Sequence, residues 1–147
     1  MAFRFSFQPL LRLRRSLESR EQLRLETIVK EVLRARQELE RAEQENRAAS
    51  QRLAAAMLHG MKGVELHFEQ VCAAARQQIA EQLRSKLEEL ERLRAAQLAV
   101  LQKARQDREI LESLRRRQYE LYRQVHSRRE QQQIDELFLM GRASRSR

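Results

Sequence analysis

The sequence predicts an all-α fold, a long antiparallel two-helix coiled coil (a helical hairpin) with arms of unequal length, and three observations carry that expectation. Three glycines and one proline serve 147 residues, and they fall at Pro9, Gly60, Gly63 and Gly141, leaving long tracts with nothing to interrupt a helix. Leu, Ala, Glu, Gln and Arg dominate; these residues lose little rotamer freedom in a helix, and with 35% charged and 5% aromatic residues they cannot furnish a compact globular core. Apolar residues also recur at alternating steps of three and four over long distances, the pattern of one buried helical seam.

Taken in order, residues 1–8 form an extended entry in which Phe3, Phe5 and Phe7 alternate with Arg4 and Ser6. Pro9 then supplies a fixed φ suited to a first helical turn, and helix 1 is expected over 9–59. Leu10, Leu13 and Leu17 would lie on one face, and Glu21 follows where an apolar residue is due. A strict repeat then runs through Leu25, Ile28, Val32, Ala35, Leu39, Ala42, Asn46, Ala49, Leu53 and Ala56, with only Asn46 polar. The alanine column in this repeat lets a partner helix approach closely, and a lone polar seam residue commonly fixes register.

His59-Gly60-Met61-Lys62-Gly63 breaks the pattern. Gly60 can end a helix in the left-handed conformation, Gly63 can cap the next helix, and so short a link between helices makes them antiparallel. Residues 60–63 are therefore the expected tip, with a kinked single helix as the alternative. Helix 2 is expected over 64–140, about 110 Å at 1.5 Å per residue. Its seam would carry Phe68, Cys72, Ala75, Ile79, Leu83, Leu87 and Leu90, then Leu93, Gln97, Val100, Ala104, Asp107, Leu111, Leu114, Gln118, Leu121 and Val125. Residues 141–147 read as a disordered basic tail.

Folding about the tip pairs residues whose numbers add to about 123, so helix 2 should overhang its partner after about residue 114. The overhang still carries Leu121, Val125, Ile134, Leu137 and Phe138 at helical spacing, together with Arg115, Arg116, Arg117, Arg123, Arg128, Arg129, Tyr119 and Tyr122. A wet apolar stripe beside arginine and tyrosine has the composition of an interface anchor, and equally of a nucleic-acid contact. The net charge of +9 favours acidic partners without choosing among them.

Catalytic and cofactor chemistry find no support. His59, His67 and His126 are not spaced as metal ligands, Cys72 is single, and the glycines do not form a phosphate loop. The acids sit at helical spacing to arginine as surface pairs, and two helices offer no desolvated cleft in which to tune a pKa. No metal, cofactor or small-molecule substrate is expected, and no stretch is long and apolar enough to span a bilayer.

Phe3-Arg4-Phe5 followed by Pro9-Leu10-Leu11-Arg12-Leu13-Arg14, then Gly60 through Glu65-Leu66, Phe68 and Val71, and finally Glu130-Gln131-Gln132-Gln133-Ile134-Asp135-Glu136 resemble the flagellar FliJ family over nearly the full chain. The resemblance implies a non-catalytic, antiparallel coiled-coil stalk of the flagellar type III export apparatus, part of the motility and chemotaxis machinery. It would work in the cytoplasm, peripheral to the inner membrane. Its implied partners are the hexameric export ATPase, whose central hole receives the end holding both termini, the transmembrane export gate, and export chaperones. By position, Arg115, Arg116, Tyr119, Arg123, Ile134, Leu137 and Phe138 would face the ATPase, and Phe68 and Val71 match the gate-contacting positions in type. Ala75 departs from the larger apolar residue commoner there. The alternatives are an injectisome-type stalk protein and a basic nucleic-acid-binding coiled coil; the second is disfavoured because acids are spread along both arms and no uninterrupted basic stripe emerges.

Overall fold

The computed structural model describes residues 2–145, with α1 at Gln8–Leu58 and α2 at Gly63–Arg145 and no strand among the described residues. The two helices pack against each other as the predicted hairpin. Among the described residues they form two compact units, one of residues 20–101 and the other of residues 2–19 with 102–145.

The first unit holds the tip. Helix α1 closes through bonds from the amides of His59 and Gly60 to the carbonyls of Ala56 and Met57, at 3.2 and 3.3 Å. Gly60 sits at φ +88°, the left-handed conformation that an L side chain resists. The link is thus a turn and not a kink. The Lys62 carbonyl accepts the first bond of α2, from Leu66, so Lys62 caps that helix, one residue before the predicted cap at Gly63, which is already the first helical residue. Glu65 supplies the negative charge favourable in a first turn.

All ten positions of the α1 repeat from Leu25 to Ala56 are at least half-buried, with Val32, Ala35 and Ala49 in the core. Cross-helix ion pairs confirm the register: Arg36 with Glu91, Arg84 with Glu43 at 3.1 Å, and Lys86 with Glu38 at 4.0 Å. Each agrees with the predicted pairing to about one helical turn. These pairs are substantially exposed and order the register more than they stabilise the fold.

On α2 the seam differs from expectation. Phe68, Ala75, Ile79, Leu93 and Val100 face solvent, whereas Leu66, Ala73 and Ala80 turn inward beside Cys72, Leu83, Leu87, Leu90, Gln97 and Leu101. Ala80 is fully buried and small, so it suits the narrow gap left by the alanine column of α1, where a phenylalanine or isoleucine would hold the helices apart. Glu21 takes the seam position where an apolar residue was due and is only 6% exposed. Gln97 Nε2 donates to its carboxylate at 2.6 Å and to its backbone carbonyl at 3.1 Å, while Arg24 and Arg20 pair with it at 3.0 and 3.5 Å. The Gln97 hydrogen bond, helped by the two arginines and opposed by desolvation, holds the Glu21 carboxyl below its usual pKa.

In the second unit, Phe7 contributes the carbonyl that accepts the first α1 bond, from Leu11 at 2.9 Å, and Pro9 falls in the first turn, where no amide is required. Leu11 and Phe5 are buried here, while Leu10 and Leu13 are exposed, contrary to the sequence reading. The reason lies in the repeat itself. Continued backward from Leu25 at the same alternating steps, it passes through Glu21, Glu18, Arg14 and Leu11, and the polar members are satisfied by α2. Arg14 pairs with Asp107 at 3.3 Å, and Glu18 is held by Arg108 and by Arg105 at 3.4 Å. The Glu18 hydrogen bond and the charges of Glu112 and Glu18 hold the Arg108 guanidinium above its usual range against desolvation.

Helix α2 also runs past its predicted end. Residues 141–145 continue the helix through Gly141, and the remainder of the predicted tail, 146–147, lies outside the described residues. A glycine costs a helix only about 1 kcal/mol, so one such residue near its end need not stop it.

Candidate interaction site

Phe3, from the extended N-terminal segment, lies against α2. Its ring packs edge-on to Tyr119 with centroids 5.2 Å apart and lies 5.6 Å from Tyr122. Tyr122 in turn neighbours His126 at 5.8 Å, and His126 Nδ1 reaches Glu130 at 3.2 Å. The alternation of aromatics at 3, 5 and 7 explains this docking: Phe5 turns into the core while Phe7 packs against its edge at 5.9 Å. The predicted limit of pairing, near residue 114, is therefore extended by about two turns through the entry segment, which the helix register alone did not take into account.

A recess of about 380 Å³ opens beside this clasp, lined by Phe3, Arg15, Glu112, Arg115, Arg116 and Tyr119. Three of the residues singled out from sequence, Arg115, Arg116 and Tyr119, thus come together there with Phe3 and Arg15. Steps of three and four place Glu112, Arg115, Arg116 and Tyr119 on one face of α2.

The remaining four do not enter the recess. Arg123 borders a shallow groove with Glu120, Gln124, Ser127 and Arg128, and Ile134, Leu137 and Phe138 lie farther along the same helix. From Arg123 to Arg145 every described residue is exposed, Phe138 at 68%. Leu139 and Met140 are as open as Phe138, so the bare segment is apolar around much of its circumference. Such a helix is marginal in water by itself and presents a surface that a partner would cover.

Phe68 and Val71 occupy a second surface, in the tip-bearing unit. With Val64, Ala75 and Ile79 they make a solvent-facing stripe at steps of three and four, Phe68 being 65% exposed. Hydrophobic spacing alone puts Phe68, Ala75 and Ile79 on the seam, and the structure places them outside it. The signal that could have separated the two faces was the small Ala80, in step with Ala73, Leu83 and Leu87.

Among the described residues no group of His, Cys, Asp and Glu is arranged to hold a metal ion, and no helix is long and apolar enough to cross a membrane. A family model described as flagellar FliJ protein matches residues 3–147. No curated protein and no solved structure matches the chain.

Proposed function

The chain belongs to the FliJ family of flagellar export proteins, and from that premise we propose that it is a non-catalytic stalk that engages the hexameric export ATPase through the end of the molecule carrying its termini. The observation that supports this reading is the exposed, apolar and basic segment of α2 beyond Tyr122, which buries nothing within its own chain. Arg115, Arg116, Tyr119, Arg123, Ile134, Leu137 and Phe138 are the proposed contacts. The mechanism is mechanical and electrostatic: a basic helical end inserted in a ring biases subunit assembly or turnover without supplying a catalytic group.

The stripe of Val64, Phe68, Val71, Ala75 and Ile79 supports a second contact, with the export gate, in keeping with a cytoplasmic protein peripheral to the inner membrane. Escort of export chaperones belongs to the same reading. The family match favours the flagellar system over an injectisome, and the many acid–arginine pairs along both helices leave no continuous basic track for nucleic acid.

ATPase turnover of the cognate hexamer, measured with the full chain and with a version ending at Leu114, tests the assignment. Stimulation by the full chain and none by the shortened one is expected; equal stimulation by both would remove the role given to the overhang. For the gate contact, Phe68→Ala with Val71→Ala should weaken capture of the gate's cytoplasmic domain and leave ATPase stimulation intact.

A further inference from the structure

We propose that the recess beside the N-terminal clasp is a built receptor for one carboxylate side chain of a partner protein loop, together with an apolar or aromatic neighbour of that carboxylate. This deepens the docking reading above and rests on it for the identity of the partner.

The charges carry the inference. On an isolated helix Glu112 would pair with Arg116, four residues on. Here it is already committed: Arg108 Nη1 donates to it at 2.7 Å from one turn earlier, and Arg15 donates through Nε and Nη2 at 3.3 and 3.2 Å from α1. Arg115 and Arg116 are left with no ion pair to any described residue, side by side on the wall of the recess. Each uncommitted guanidinium offers a planar, multiply donating fork suited to a carboxylate.

Shape and polarity narrow the ligand further. The other components of the lining are the rings of Phe3 and Tyr119, held by their mutual edge contact, so the recess offers an apolar face as well as a cationic one. Its volume of about 380 Å³ lies near the lower end of the ~300–1,000 Å³ typical of ligand clefts and suits side chains more than a nucleotide. Inorganic phosphate has no group to place on the apolar face, whereas a carboxylate side chain with an apolar neighbour engages both faces of the recess. Phe3 is therefore a wall of the receptor and a specificity-determining residue, although it lies outside both helices.

The experiment uses the full chain, with arginine side-chain Nε–H and tyrosine ring signals followed by NMR. The probes are acetyl-Phe-Glu-Phe-amide, the matching Gln peptide, and inorganic phosphate. Saturable shifts at Arg115, Arg116 and Tyr119 are expected with the Glu peptide. They should weaken by roughly tenfold for the Gln peptide, for phosphate, for Arg115→Ala with Arg116→Ala, and for Phe3→Ala. Circular dichroism checks that the helices stay formed in each variant, Arg115 and Arg116 being exposed and Phe3 half-buried. Equal response to the Glu and Gln peptides, equal response to phosphate, or undiminished binding by Phe3→Ala overturns the proposal. If the full chain leaves the export ATPase unaffected, the stalk reading falls while the peptide titration still decides the recess.

Discussion

Leu101 and Leu121 lie on the same helix and are the same residue, yet one is 1% exposed and the other 61%. Replacing each by alanine separates a packed seam from a bare helical surface. At Leu101 the substitution removes buried methyl groups and leaves a void, which costs about 2–5 kcal/mol in well-packed cores. The lower half of that range applies here, because a two-helix seam has solvent close on both sides and neighbours can move inward. At Leu121 there is little burial to lose and alanine is the better helix former, so the change should stay within ~0.5 kcal/mol. Urea unfolding followed by helical circular dichroism reads both. With a slope of about 1–3 kcal/mol per molar urea, Leu101→Ala should lower the midpoint on the order of 1 M, and Leu121→Ala should barely move it. Equal shifts for the two variants would refute the distinction between seam and overhang.

The glycines give opposite signs. Gly60→Ala places a side chain at φ +88° with open space around it, so only backbone strain acts, costing about 1–2 kcal/mol in thermal unfolding. Gly141→Ala, in an exposed helical stretch with nothing near the added methyl, should instead raise helicity of the last turns, by about 1 kcal/mol of local stability seen as slower amide exchange. Glu21 predicts the acid response. Its carboxyl is held below the usual 4.5, first by Gln97 and then by Arg24 and Arg20, so its stabilising contribution is complete above pH 4.5 and is lost as pH falls through its lower folded value. Urea midpoints measured across that window should fall less steeply for Glu21→Gln than for the parent chain; identical slopes would show that other carboxylates govern acid unfolding.

Much of this architecture could be read from spacing. The glycine positions located the turn, the ten-residue repeat located the α1 seam, and simple counting about the tip came within about one helical turn of the register that Arg36–Glu91 and Arg84–Glu43 display. The α2 seam was less legible because two apolar stripes share that helix. Choosing Phe68 and Ile79 over Ala73 and Ala80 follows hydrophobicity, whereas a close helix pair selects small residues. Toward the termini the seam becomes ionic, so apolar spacing points to Leu10, Leu13 and Leu17, whereas the period of the repeat continues from Leu25 through Glu21, Glu18 and Arg14 to Leu11. The segment around Arg115, Arg116 and Tyr119 was visible as composition, but the part played by Phe3 and Arg15 required the other end of the chain to be brought beside it.

The order of synthesis gives the ionic seam a timetable. Arg15 and Glu112, joined in the finished structure, are 97 residues apart in the chain. At about 5–20 residues per second, the N-terminal aromatics and Leu11 wait on the order of five to twenty seconds for the surface that will cover them. Contacts near the turn close much sooner, so the helices can zip from the turn outward as α2 is made. During that wait the strand of residues left uncovered longest is the one whose seam is charged rather than apolar. Glu18, Glu21 and Arg14 remain compatible with water until their partners arrive, which limits the exposed grease of the nascent chain to a few phenylalanines and leucines.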